Sequence, residues 1–505
     1  MKNDSRITLP DALCTNAGPS RREVLVVALF VGVYVIVSLV LATRWCIPWV
    51  DEVMYTDPAA NLALGRGFHS TAWFTQARTE IWASNTPLHE FLLAGWFRLF
   101  GFGLLSARVF YSLFQAAGAL VLYLAAWRLR ILHSGTGRVV LVALLLSGSG
   151  ISDCLHNGRP EGVKYLLSAL SLYAFSVRHA RWRLGLLFSL GFLSSLAGIQ
   201  LIAYAGLFCV ALFFLVNREI RFSMIWLGVG MAVGLVALLG SYAVIGYGRR
   251  FLEATFLSGH MMTGRVAQTV VLHNNRFLED LRTFVHSLSN LYTFDSSLLI
   301  LMLLLAYLMA RDVIAREFRF RSMAFFGLAI AIVLPVIMGF VGKYGAIYAW
   351  MGFAPIALCS AAGLELGRSG SSRWTKFPSV VLIGIAIAVG LPYRTVLVAS
   401  QWKASDPAPV ERFVANCIGQ DEWVYTDYPA YYAVKRRAAE TFSPTYAGGR
   451  GFREIPDYER ERISAIIGRP SEAVKAVERL GGSWKEAGRL GDDSAVYQLV
   501  LLRRN

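Results

Sequence analysis

Long apolar runs dominate this chain and leave it few folds to choose from. Eleven stretches, 23–43, 105–127, 138–154, 161–177, 184–200, 201–217, 222–246, 296–310, 322–341, 346–366 and 379–399, read as membrane-crossing helices. A bilayer core of about 30 Å takes about 20 apolar residues in a helix. Inside lipid each backbone group must find its partner within the chain, so such runs fold as helices. Composition agrees: 55% of the 505 residues are hydrophobic and only 16% are charged, against about 25% charged in soluble domains. A soluble enzyme with one anchor is excluded. The expectation is a polytopic α-helical membrane protein.

The net charge of +16 is distributed unevenly. Lys2, Arg6, Arg21 and Arg22 precede the first run, and Arg128, Arg130 and Arg138 join the second to the third. Arg178, Arg181 and Arg183, then Arg218 and Arg221, then Arg311, Arg316, Arg319 and Arg321, then Arg368, Arg373 and Lys376 follow alternate later runs. All fall on one side, which the positive-inside rule makes the cytoplasm. The excess charge therefore reads as topology and lipid attraction, and nucleic acid is not an expected partner. Residues 87–101 are half apolar but carry His89, Glu90 and Arg98. If they crossed the bilayer, every later arginine-rich loop would turn outward, so they read as an amphipathic helix lying on the outer surface.

Three domains follow: a cytoplasmic segment 1–22, a membrane domain 23–399 with large outer loops 44–104 and 247–295, and a soluble extracytoplasmic domain 400–505. The last reads as a small α/β fold, with helices 407–417, 428–436 and 470–480 and strands 422–426, 462–467, 484–490 and 495–502. The six cysteines show no CxxC spacing, so neither a zinc site nor a thioredoxin-like motif is expected. GxxxxGK[ST], GxSxG and HExxH are absent too, so any reaction draws on its substrate rather than on bound ATP.

Three polar clusters fall on the outer side. Asp51 and Glu52 follow the first run, with Tyr55 one turn on; they read as a helix cap and first-turn acid, or as a general base or metal ligand. Arg159, Glu161 and Lys164 lie where the third and fourth runs meet, near Asp153 and His156. They read as snorkelling end groups or as an intramembrane functional cluster. Lys343 and Tyr348, between the ninth and tenth runs, read as an interfacial anchor or as a lipid-phosphate site. Carboxylates for a base beside cations for a phosphate point to transfer of a group from a lipid phosphate. Outside the cell there is no ready nucleotide sugar, so the donor would be a lipid-linked sugar.

Over residues 20–365 the chain resembles the GT-C superfamily of polyprenyl-phosphate-dependent glycosyltransferases. The nearest branch holds aminoarabinose transferases, protein O-mannosyltransferase-like enzymes and lipopolysaccharide-core galacturonosyltransferases. The carriers are Asp51-Glu52, the stretch Asn61 to Gly67, Thr86-Pro87-Leu88, Leu99-Phe100-Gly101, Ala107-Arg108, Arg159-Pro160-Glu161, and Lys343 with Tyr348 and Pro355. The resemblance implies that Asp51 is the base, that Glu161 matches the acid after the third span, and that Lys343 and Tyr348 hold the donor phosphate. His260 and Arg265 loosely match polar residues of the second outer loop. Two departures stand out. Pro58 is expected to interrupt the helix after Asp51, and no basic residue precedes Pro87, which argues against aminoarabinose as the sugar.

The reading is a multi-pass glycosyltransferase of a bacterial inner membrane with its site outside. It would move a sugar from a polyprenyl-phosphate donor to a hydroxyl on a cell-envelope glycan, lipid or protein. Asp51, Glu52 and Glu161 are the catalytic candidates. Lys343, Tyr348, Arg159, Arg265 and His260 are phosphate-binding candidates, and Lys164, His89 and Tyr55 would touch substrate. No cofactor is required, though a divalent metal between Asp51 and Glu161 stays open. The alternatives are a transporter or flippase of a lipid-linked glycan, and a membrane scaffold acting through 400–505.

Overall fold

The computed structural model describes residues 18–74, 76–156, 158–198, 200–202, 204, 218–257, 295–314, 348–366, 373–447, 455–491 and 496–505. The expected run 201–217 apart from 201, 202 and 204, the expected run 322–341, and with them His260, Arg265 and Lys343, lie outside the described residues.

Helix α1, Arg21–Leu41, starts on a Ser20 cap whose hydroxyl accepts from Glu23 N. It buries Val27, Tyr34, Ser38 and Leu41, a stripe at helical spacing, and leaves Leu25, Leu29, Val33, Ile36 and Val40 exposed. An exposed face that apolar belongs against lipid. The next helices are α2 Val50–Ala63, α3 Leu88–Phe100, α4 Leu104–Arg128, α5 Gly135–Ser147, α6 Ser149–His156, α7 Glu161–Ala174 and α8 Ala180–Ala197. Then come α9 Arg218–Val244, α10 Gly248–Leu252, α11 Ser296–Ile314, α12 Ala349–Leu366, α13 Arg373–Ala388 and α14 Leu391–Ser400. Among the described residues four helical stretches, Arg21–Leu41, Leu104–Arg128, Phe222–Val244 and Phe377–Ser400, are long and apolar enough to cross a membrane. Small residues bring the helices together: a Cβ on Gly230 of α9 would lie 2.1 Å from the Phe188 carbonyl oxygen of α8.

Three expectations need correction. The run 138–154 is two helices, broken at Gly148, and 379–399 is broken at 389–390. The breaks face each other, with Ser297 Oγ donating to the Ala386 carbonyl at 2.7 Å and Ser149 N to Ser297 Oγ at 2.9 Å. Serines thus satisfy backbone groups that a kink frees. Thirdly, α2 continues uninterrupted past Pro58 to Ala63. It gives up one hydrogen bond there, and the turn is held by burial of every residue from Glu52 to Asn61.

Residues 408–505 form a mixed five-stranded sheet between helices. Strands β1 Trp423–Thr426, β2 Glu440–Phe442, β3 Ile463–Gly468, β4 Trp484–Leu490 and β5 Leu499–Arg504 lie in the order β2-β1-β3-β5-β4. The first three are parallel, and β5 runs antiparallel to both its neighbours. Alternation places Val424, Ala465 and Ile467 against α15 Ala408–Cys417 and α16 Tyr431–Arg437. Tyr425, Ile463 and Ile466 face α18 Pro470–Leu480, which follows the short α17 Asp457–Arg462. The sequence reading lacked β2 and α17, and placed the last strand, expected over 495–502, a few residues early.

Candidate active site

The segment between α1 and α3 carries α2, whose three carboxylates take three different cations. Asp51 pairs with Arg159 Nη1. Glu52 takes both Arg108 Nε and Nη2 at 2.9 Å. Asp57 lies 2.9 Å from Lys435 Nζ. Their exposure separates them: the Asp51 side chain is 22% exposed, whereas Glu52 and Asp57 are at 0%. Of the acids on this helix only Asp51 is open to an incoming molecule.

Arg159 reaches Asp51 because of the turn it sits in. Gly158 has φ +72°, and a Cβ there would lie 2.4 Å from Glu52 Cγ, so the turn can rest on α2 only with glycine. Tyr111 of α4 donates to the Gly158 carbonyl at 3.1 Å and fixes the turn from the other side. Pro160 then ends the turn and α7 begins on Glu161, an acid in the first turn where the helix dipole favours it.

From Asp51 a chain of charge runs inward. Arg159 Nε donates to Glu161 at 3.2 Å, and Glu161 takes Lys164 Nζ at 3.2 Å one turn along α7. Lys164 also lies 3.4 Å from the Gln200 side-chain oxygen. Glu161, Arg159 and Lys164 are buried. The guanidinium of Arg159 faces the rings of Tyr55 and Tyr348 at 5.2 and 5.9 Å. Burial would lower the Arg159 pKa, but Glu161, then Tyr55 and Asp51, more than offset it and the group stays cationic. Burial likewise pushes the Tyr55 phenol well above its ordinary value.

His89, on the far side of Tyr55, is fully buried with its ring edge-on to Tyr55 and parallel to Tyr111. Burial holds its pKa down at about 3, so it is a neutral imidazole behind the site. Glu90 beside it is equally buried and burial raises its pKa.

The structure thus brings together Asp51, Tyr55, Arg159, Glu161, Lys164 and Tyr348. It turns Glu52 away onto Arg108. A metal held by Asp51 and Glu161 fits these donors poorly, because Arg159 already bridges the two carboxylates. Among the described residues no group of three His, Cys, Asp or Glu could hold one.

Two groups were missed by the sequence reading. Arg108 stood there only as part of a family pattern, and Lys435 did not stand out at all. A lysine four residues after Tyr431 on a helix with an apolar face was the available signal.

No family model matches this sequence, and no curated protein matches it. Solved structures do. ArnT from Cupriavidus metallidurans bound to undecaprenyl phosphate aligns over 94% of this chain and 97% of its own, with a TM-score of 0.60 and 14% identity. The apo state of that protein gives 0.55 and 15% over the same shares. The apo Archaeoglobus fulgidus oligosaccharyltransferase gives 0.50 and 13%, over 87% of this chain and 69% of its own. The likeness is one of fold: this chain has the polytopic, mostly helical fold of these structures.

Proposed function

We propose that a chain with this fold and this charge relay is a membrane glycosyltransferase using a polyprenyl-phosphate sugar as donor. The observation that carries the reading is Asp51, the exposed acid of α2, seated on a buried arginine that also holds Glu161. Undecaprenyl phosphate in the Cupriavidus metallidurans structure supports the donor class.

In the reaction proposed, an acceptor hydroxyl attacks the anomeric carbon and gives its proton to Asp51. The bond from that carbon to the phosphate oxygen breaks, and the electron pair leaves with the lipid phosphate. Arg159, fixed in charge and already in place, meets the developing anion without reorganisation. Glu161, itself paired with Lys164, holds Arg159 from behind, and Tyr348 flanks it. A single displacement inverts the anomeric configuration. Lys343, Arg265 and His260 are proposed to complete the phosphate site.

The site would face the outside of a bacterial inner membrane, with the C-terminal domain on the same side. The acceptor would be a cell-envelope glycan, lipid or protein. The test is purified protein with a synthetic polyprenyl-phosphate sugar, products read by mass spectrometry, beside envelope glycans from cells with and without the protein. Sugar transfer is expected. Lipid binding with no transfer of any sugar tried would overturn the reading in favour of a lipid-linked glycan transporter. For orientation, a reporter after residue 132 should read cytoplasmic and one after residue 420 exterior.

A further inference from the structure

A helix sends neighbouring side chains about 100° apart, and α2 uses this to divide its polar groups between two partners. Asp51 and Tyr55, one turn apart, meet Arg159. Glu52, Thr56 and Asp57 face elsewhere, and what they face is the C-terminal domain. Tyr432 Oη lies 3.2 Å from both Glu52 Oε1 and Thr56 Oγ1. Tyr431 donates to Asp57 at 2.7 Å, beside the Lys435 ion pair.

This contact is not a surface touch. Lys435 and Asp57 are both at 0% exposure, and Tyr431 and Tyr432 belong to the same apolar cluster as the transmembrane helices. The seam continues past α2. Ser443 N donates to the Thr71 carbonyl at 3.1 Å, and Arg66 donates to the Ala438 carbonyl at 3.0 Å. A domain that only captured acceptors would need a tether. This one places an ammonium under the helix that carries the candidate base, where losing either partner strands a charge away from water.

We propose that α16 is a positioning element of the active site: Lys435 and Tyr432 hold the Glu52–Asp57 face of α2, so that Asp51 alone presents to substrate. The activity arm of the test rests on the glycosyltransferase reading; the structural arm does not.

Full-length protein is compared in two measurements: turnover of a synthetic polyprenyl-phosphate sugar at saturating donor, and backbone hydrogen exchange across 50–63. Lys435→Met should speed exchange across 50–63 and lower kcat by up to about 100-fold, the scale of a small misplacement of reacting groups, with donor Kd unchanged. The double variant Lys435→Met/Asp57→Asn removes both charges and should recover most of the turnover and the slow exchange. A lysine that served stability alone would move neither the kcat-to-Kd split nor its rescue. If Lys435→Met does not fold, Tyr432→Phe, which removes one hydroxyl, should lower kcat in a protein with wild-type protease resistance. Wild-type kcat in either folded single variant overturns the proposal, and so does unchanged exchange across 50–63 in Lys435→Met. If the wild type transfers no sugar, it is the proposed activity that has failed, and exchange alone then decides the positioning.

Discussion

The start of α1 and, past its far end, the start of α2 carry the same pairing, a carboxylate on an arginine, built to opposite purposes. Near the start of α1, Glu23 takes Arg138 Nε and Nη2 at 2.7 and 2.8 Å, and Tyr123 donates to the same carboxylate at 2.9 Å. The third nitrogen of Arg138 donates to the carbonyls of Leu132 and His133. Beside it, Glu365 caps the turn into α5, accepting from the backbone of His133 and Ser134. That cluster ties α1, α4, α5 and α12 together and keeps no group in reserve. At the start of α2 Asp51 is part-exposed, and Arg159 is shared between two acids and faced by two rings. One arginine closes a junction. The other is the middle of a chain whose outer member is part-exposed.

The largest effect should come from Asp51→Asn. It keeps size and hydrogen bonding but cannot accept a proton. A general base contributes about 10²–10⁴-fold, so turnover should fall on that scale while donor binding survives. Donor binding and turnover of the purified variant, measured together, decide it. Full turnover would reduce Asp51 to a helix-start acid, and the contrast between the two pairings would go with it.

Next in size is Arg159→Lys. One ammonium cannot span two carboxylates as a guanidinium does. If Arg159 meets the leaving phosphate, kcat should fall by about 10²–10³-fold, the scale seen when one preorganised donor is lost. Arg138→Lys should leave the kcat of the folded protein alone. Equal losses in both would mean that both arginines are structural.

Glu23→Gln sharpens the comparison from the other side. It strands a buried guanidinium, a change that costs about 3–5 kcal/mol. Thermal unfolding in detergent should show the loss, with turnover per folded molecule unchanged. Loss of turnover without loss of stability would give the closed pairing a role in the reaction.

How far the sequence could be read follows from the same distinction between local and distant causes. Hydropathy located α1 and α4 to within two residues, because lipid contact is a property of the local run. It passed over the break at Gly148, since a kinked pair of helices is as apolar as a straight one. The acids and bases of the candidate site were visible as polar residues at the ends of apolar runs. Their pairing was not. Nothing local says that Glu52 will turn to Arg108 while Asp51 keeps Arg159, because the choice is made by α4 and by the Gly158 turn packing on α2. Lys435 is the extreme case: its partner is Asp57, nearly four hundred residues away, and on its own helix it looks like one of three ordinary cations in a last turn.

That third pair yields the smallest effect, and its sign can be worked out. Burial raises the Asp57 pKa, but the Lys435 charge and the hydrogen bonds from Lys435, Tyr431 and Ser70 outweigh it, so the carboxyl sits below its ordinary value. A carboxylate with a depressed pKa in the folded state contributes stability that is present above the unfolded value of about 3.9. That contribution is lost as pH falls through the folded value. His69, a further titratable group nearby, has its pKa lowered by burial, and Glu440 lies 4.0 Å from Lys435 Nζ. Docking of α16 on α2 should therefore be flat between about pH 5 and 8 and loosen only below about 4. Hydrogen exchange across 50–63 and 431–437, corrected for intrinsic rates, reads this directly. In Lys435→Met/Asp57→Asn the acid step should disappear. Loosening between pH 5 and 8 would instead place the sensitive group elsewhere in the seam, and Asp57 would no longer be the acid that holds the domain in place.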